Sequence, residues 1–398
     1  MTGKLWTENR DRASVLGWLI GCTAFFLTNH VMVRPNRIVA GTYLDAFALT
    51  GPFIGLFALA WGILFVLIWI KTDQVKLNLA TGIGISLLAC FYFIAISGID
   101  GSVLGGDFPF ARVSLGTGFW LTMLSWYIML FGCRQWLKAY PTASLLVTAI
   151  VPAILVYMFA RGNFPHLSIY LEYLNRRQTF IKELQQHLFL SLSAVTGGIL
   201  VGVFLGLGVF RRWLSEQGVF LFVNLSQTVP TLSLLALLMI PLTMLSQRFP
   251  FLLQLGIRGV GWAPAVIVLF LYSLLPITRN TLAGFQVVSP EDRDTARAVG
   301  MSSHQVFWQV ELPLAFPVIL SGIRTALTQT IGNTILAGLV GAGGLGSIIF
   351  LGLAQAAPDL ILLGALPVVI LAWVSDQMMM ILTRKATPKG VIYTHDQP

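Results

Sequence analysis

The chain alternates long apolar runs with short polar ones. Uncharged runs of about 20 residues are long enough to cross the hydrocarbon of a bilayer as helices. That pattern predicts ten spans, at roughly 13–33, 46–70, 76–97, 113–132, 142–160, 188–210, 219–241, 259–281, 314–337 and 359–382. The first follows Lys4, Arg10 and Arg12 and is followed by "RPNR", not by a small-residue cleavage site. A retained first helix is therefore expected rather than a removed signal peptide. Two polar stretches interrupt the series, Arg161–His187 and a charged segment beginning near 289. They divide the chain into a five-helix membrane extension (1–160), a polar connector (161–187), a second membrane block (188–382) with a charged loop at 289–313, and a tail (383–398). The segment "EYLNRRQTFIKELQQH" has the composition of a helix lying at the membrane surface. Pro230, Pro264, Pro276, Pro317 and Pro367 fall within spans, where each removes a backbone donor and can kink its helix. The freed carbonyls need partners in protein or water, so such helices face the bundle or a cavity.

Composition agrees with an all-α polytopic membrane protein. The chain is 56% hydrophobic and 10% charged, whereas soluble domains carry about 25% charged residues. The net charge of +9 would suggest nucleic acid in a soluble protein. Here the basic residues sit mostly in short loops, and no nucleic-acid motif is present. With the N-terminus inside, the cytoplasmic segments hold most of the 25 Lys and Arg residues. The bias places both termini, and residues 282–313, in the cytoplasm. Cys22, Cys90 and Cys133 are too scattered for a disulfide framework or a zinc site. No metal site is expected. "GAGGLG" (Gly341–Gly346) has dinucleotide-loop spacing but follows a span instead of a strand, so a tight turn is expected there. The sequence contains no Walker A motif, and no catalytic residue is expected. Energy for transport would have to come from a partner.

The charged segment has a readable local structure. Ser289 suits an N-cap and Pro290 the first helical position. Glu291, Asp292 and Asp294 then complement the helix dipole. Gly300 can end that helix in the left-handed conformation, and Ser302 or Ser303 can cap the next. Two short helices joined at a glycine are expected, charged on one side, with Ala296, Ala298, Val299, Val306, Phe307 and Val310 elsewhere. Such a module suits docking into a groove of another protein. A solvated connecting loop is the other reading.

The same residues resemble the coupling-loop motif of ABC importer permeases: EAA, three residues, Gly, nine residues, Ile, one residue, Leu-Pro. The matching positions are Asp294, Thr295 and Ala296, then Gly300, then Val310, Leu312 and Pro313. Asp294 stands for Glu, Thr295 for Ala and Val310 for Ile. "QTVPTLSLLALL", "LYSLLPITRNTLAGFQ" and "ALTQTIGNTILAGLVGAGGLGSIIF" extend the resemblance to the osmoprotectant permease subfamily over about 185–382. "RPNRIVAG" and "ARVSLGTGFWL" resemble the long permease of the Yeh-type betaine importer. The resemblance implies a type I ABC importer core in the C-terminal half and location in a bacterial inner membrane. It implies two ATPase subunits that use ATP, a second permease subunit (identical or related) and a periplasmic substrate-binding protein. It implies no cofactor on this chain. The coupling residues would transmit closure of the ATPases to the membrane helices. An ABC permease for another small solute, or an ion-driven secondary transporter, are the alternatives.

For the translocation path the sequence offers Gln227, Pro230, Tyr272, Arg324, Thr330, Asn333 and Thr334. Polar groups in spans either line a path or bond neighbouring helices. Tyr272 and Trp262 could attract a quaternary ammonium through their ring faces, or anchor at the interface. Arg324, deep in a span, must face the bundle or water. It reads either as a gating or subunit-contact residue, or as a snorkelling or internally paired one near the cytoplasmic side.

Overall fold

The computed structural model describes residues 12–37, 39–69, 75–99, 103, 108, 110–137 and 140–388. Lys4, Arg10, Lys71, Lys138 and Lys389, counted above for orientation, lie outside these residues, as does the tail from 389. The chain forms two units, Met1–Asn175 and Arg176–Pro398. Among the described residues, eight helical stretches are long and apolar enough to cross a membrane.

In the first unit α1 (Arg12–Leu27) leads into β1 (Val31–Arg34) and β2 (Thr42–Leu44). Then come α2 (Ala46–Thr50), a short 3-10 turn and α3 (Ile54–Trp69), followed by α4 (Val75–Ser97), β3 (Arg112–Leu115), α5 (Thr117–Trp136), α6 (Pro141–Ala160) and α7 (Ser168–Asn175). The antiparallel sheet, in the order β2-β1-β3, departs from the all-helical expectation. It takes over the end of the first expected span and the start of the fourth. The cause is local: "VMVR" alternates, and its Val31 and Val33 are fully buried beside Val113. An apolar average over a long window hides a period of two. Beneath the sheet lies an aromatic core of Phe25, Phe57, Trp61, Tyr92, Phe119 and Trp126. Gly17 and Gly21 on α1 leave no room for a side chain against Ser125 and Met129 of α5.

The second unit opens with α8 (Arg177–Phe210). This helix runs unbroken from the polar "RQTFIKEL" into the membrane stretch, so residues 177–187 are its first turns. Next are α9 (Glu216–Thr228), α10 (Thr231–Arg248), α11 (Pro250–Gln254), α12 (Trp262–Val287), α13 (Pro290–Ala298) and α14 (Ser303–Val306). A π-helical segment, Phe307–Glu311, leads into α15 (Leu312–Asn333) and a 3-10 segment, Thr334–Val340. The last elements are α16 (Leu345–Ala354) and α17 (Pro358–Ala386). The expected span 219–241 is two helices, separated at Val229–Pro230. Pro230 thus sits at a helix break and not within a helix. Pro264 lies in the first turn of α12, where the missing N–H costs nothing. Pro276, Pro317 and Pro367 are inside their helices.

Helices in the second unit meet almost backbone to backbone. Gly198, Gly202 and Gly206 form a small-residue stripe on α8 facing α12. A Cβ on Gly202 would lie 2.9 Å from Ile277 Cγ2, and one on Gly206 2.6 Å from Thr281 Cβ. With no hydrophobic drive between helices in lipid, close contact of this kind supplies the association.

Candidate functional site

Two regions of the second unit gather the residues singled out from the sequence. The first is the charged segment. Ser289 caps α13 by accepting from Asp292 N at 3.0 Å, with Pro290 in the first turn. Gly300 has φ +91, which L side chains rarely adopt, and its N–H donates to Arg297 O at 2.9 Å. Ser302 and Gln305 form a reciprocal capping box on α14. Both outer loop ends are therefore satisfied locally, and the segment keeps a defined shape. Asp294, Thr295 and Ala298 are exposed, as are Val299 (72%) and Trp308 (54%). Asp294 lies 3.5 Å from Arg297, a pair open to solvent on both sides. Ala296 and Val306 are buried on the opposite face. Val310, Leu312 and Pro313 are half-buried. Leu312 packs with Phe210, Phe307 and Ile323 around Phe285, Ala315 and Ile319.

Between Val310 and Leu312 lies Glu311, which is 3% exposed. Arg211 Nη2 donates to its Oε2 at 2.6 Å. Arg293 Nε lies 3.1 Å from Oε1, close enough to attract but not aligned as a hydrogen bond. Arg293 Nη2 donates to Phe285 O at 2.8 Å. Phe210, Phe285 and Phe307 stack in sequence, with centroids 5.2 and 5.9 Å apart. The two guanidinium groups lie over the outer rings.

The second region surrounds the break at Val229–Pro230. Pro276 cannot donate to the carbonyl four residues back, that of Tyr272. Gln227 Nε2 fills that vacancy, donating to Tyr272 O at 2.7 Å. The Tyr272 hydroxyl in turn donates to Val229 O, the residue where α9 stops. One helix break and one proline kink thus satisfy each other's backbone. Thr231, Leu235, Leu269, Asn333 and Ala337 line a narrow crevice beside the break. Thr330 and Thr334 are buried, and the Thr334 hydroxyl donates to Thr330 O at 2.7 Å. Arg324 belongs to neither group. Its Nε and Nη2 donate to Asp376 Oδ1 and Oδ2 at 2.5 and 2.7 Å, a two-pronged pair between α15 and α17. The internally paired reading of Arg324 describes this geometry. Trp262 packs against Phe189 and the core around Leu269. At the charged end of α9 and α12 is a cavity of about 730 Å³, lined by Glu216, Gln217, Phe220, Arg279 and Gln286 among others. Among the described residues no cluster of His, Cys, Asp and Glu could hold a metal ion.

Two family descriptions match successive parts of the chain. "ABC transporter permease YehY, N-terminal domain" covers residues 10–170. "Binding-protein-dependent transport system inner membrane component" covers residues 198–388. The glycine betaine/carnitine/choline transport system permease protein OpuCB of Bacillus subtilis (strain 168) is 41% identical over 206 residues, spanning 52% of this chain and 88% of that protein. The chain belongs to the binding-protein-dependent inner membrane component family. The osmoprotectant import permease protein OsmW of Salmonella typhimurium is 40% identical over 207 residues, covering 52% of this chain and 91% of OsmW. Among solved structures, an inward-facing form of the MetNI methionine ABC transporter aligns over 54% of this chain and 99% of that one, at 20% identity and TM-score 0.46.

As an inner membrane component of this family, the chain is a multi-pass permease subunit of an ABC importer. The structure joins Gln227, Pro230 and Tyr272 at one helix break, sets Asn333 nearby and ties Arg324 to Asp376. Sequence reasoning misses Glu311 and the grouping of Arg211 with Arg293 around it. A signal is present: "FWQVELPLA" places one acid among apolar residues at the start of a span. A buried carboxylate of that kind needs a cationic partner.

Proposed function

We propose that the protein is the membrane-spanning permease subunit of an ATP-driven importer for glycine betaine or related quaternary-ammonium osmoprotectants. The observation that carries the substrate class is the 41% identity, over nearly the whole second unit, to a permease named for glycine betaine, carnitine and choline. In this reading α13 and α14 dock into one of two ATPase subunits that hydrolyse ATP, a second permease subunit completes the pathway, and a periplasmic protein delivers the ligand. Both termini and the 289–313 segment are cytoplasmic. Of the coupling residues, Asp294 and Thr295 form the docking face with Ala298 beside them, the buried Ala296 backs that face, Gly300 fixes the angle between its two helices, and Val310, Leu312 and Pro313 pass its motion to α15. The broken and kinked helices around Gln227, Pro230 and Tyr272 are the elements that reorient, since their backbone bonds there are already redirected to side chains. Asn333, Thr330 and Thr334 lie along the same stretch of the pathway, and Arg324 holds α15 to α17 beside it.

The test is uptake of labelled glycine betaine by proteoliposomes holding this chain, its partner permease and ATPase, with binding protein outside and ATP trapped within. Uptake that requires ATP and ignores ionophores is expected. Ionophore-sensitive uptake without ATP would overturn the reading. Hydrolysis stimulated by binding protein without betaine uptake would move the substrate to another small solute.

A further inference from the structure

Glu311 sits where four elements converge. It ends the π-helical segment and begins α15. Arg211 is the C-cap of α8, and Arg293 lies in the second turn of α13. Through its other nitrogen Arg293 reaches Phe285 O in the last turn of α12. One carboxylate, 3% exposed, therefore joins the docking helix to the ends of α8 and α15, while Arg293 reaches α12 by itself.

The chemistry of the surroundings suggests orientation more than adhesion. Burying an ion triad contributes little net stability, because desolvation offsets the attraction, whereas its geometry is demanding. The stacked rings and overlying guanidinium groups narrow that geometry further. The π-helical turn is a second sign. A π segment is a poor backbone arrangement, found mostly at functional positions. Pro313 favours one here, because it cannot donate to the carbonyl of Gln309. Without the carboxylate, α13 would keep its chain connections at Val288–Ser289 and Gly300 and the Arg293 bond to Phe285 O, but no ion pair would tie it to the start of α15. A push on its exposed face would then be absorbed by those joints.

We infer that Glu311 is the positioning residue that locks the docking helix to α8 and α15, so that movement received at α13 turns these helices together. The inference rests on the transport reading above, and its test separates the two.

The experiment compares wild type with Glu311→Gln and Glu311→Asp in the reconstituted complex, reading glycine betaine imported per ATP hydrolysed. The amount of ATPase that co-purifies with the permease is measured alongside. A merely structural role would lower complex yield, and uptake and hydrolysis together, leaving their ratio unchanged. Loss of the lock lowers the ratio itself, by about tenfold for Glu311→Gln. Glu311→Asp, which keeps the charge, should recover part of it. Glu311→Gln should assemble, because Arg211 and Arg293 keep 34% and 20% side-chain exposure and can reach water. A wild-type ratio in Glu311→Gln overturns the inference. Should that variant yield no complex, Arg211→Gln decides. It frees α8 alone and is expected to lower the ratio about threefold, and an unchanged ratio there is equally fatal. If wild type itself shows no ATP-driven betaine uptake, the substrate reading fails instead. The lock is then read as binding-protein-stimulated hydrolysis, which should become independent of binding protein in Glu311→Gln; stimulation kept at the wild-type level overturns the inference.

Discussion

Each unit of this chain contains one glutamate that is 3% exposed and held between two arginines. In the first unit Glu172 of α7 meets Arg112 of β3 at 2.7 Å and Arg37 at 3.4 Å. In the second, Glu311 meets Arg211 and Arg293. The charges are alike but their settings differ. Around Glu172 the backbone already joins the elements: β3 is laddered to β1, and Val113 N donates to His166 O at 2.8 Å just before α7. Around Glu311, among the described residues, no backbone hydrogen bond joins the docking segment to α8. The first triad reinforces what the sheet fixes. The second ties α15 to α8 and α13 through ion pairs, with one further bond from Arg293 to Phe285 O. On the proposed reading, the same three residue types serve rigidity in one place and transmission in another.

The largest expected effect tests the docking side alone. Gly300→Pro cannot reach φ +91, because proline is held near about −65°, and it deletes the bond to Arg297 O. Betaine uptake should fall by at least about a hundredfold and ATPase co-purification should be lost with it. Gly300→Ala meets no atom within 4 Å. It should cost only about 1–2 kcal/mol of backbone strain and leave most uptake intact. Next comes Arg324→Leu, which strands Asp376 and should destabilise the detergent-solubilised protein by about 2–3 kcal/mol. Adding Asp376→Leu should restore thermal stability. Normal uptake in the double variant would leave this pair a structural tie and sharpen the contrast with Glu311. Glu172→Gln should lower the melting temperature, by an amount corresponding to about 2 kcal/mol, while betaine imported per ATP stays at the wild-type value. A shifted ratio would break the comparison between the triads. The smallest effect is expected of Tyr272→Phe, which removes one hydrogen bond to Val229 O. At about 1 kcal/mol, uptake should fall a few-fold with stability nearly unchanged.

Much of the fold is legible in the amino-acid order. Long apolar runs mark helices because lipid leaves the backbone few alternatives, and every expected span contains one. The caps at Ser289 and Ser302 and the turn at Gly300 follow from short-range chemistry, which a linear sequence displays. What escapes depends on distant partners or on a different period. The strand "VMVR" hides within an apolar run. The break at Val229–Pro230 depends on Gln227 and Tyr272 reaching across to complete it. Arg324 and Asp376 each stand out as odd charges in spans, yet 52 positions apart nothing in the sequence pairs them. The same holds for Glu311, whose partners lie on two other elements.

The π-helical turn at Phe307–Glu311 gives the motif's fixed spacing a rotational meaning. An α-helix advances about 100° per residue, and a π turn absorbs one residue without extending the helix by a full step. If these five residues relaxed to an ordinary helix with none removed, the extra residue would no longer be absorbed. Everything N-terminal to it would then swing by about a quarter turn relative to α15. The docking face would still be present, correctly folded and correctly charged, but aimed at the wrong azimuth. The π turn between Gly300 and Leu312 is therefore a phase setting between the charged segment and the membrane helices.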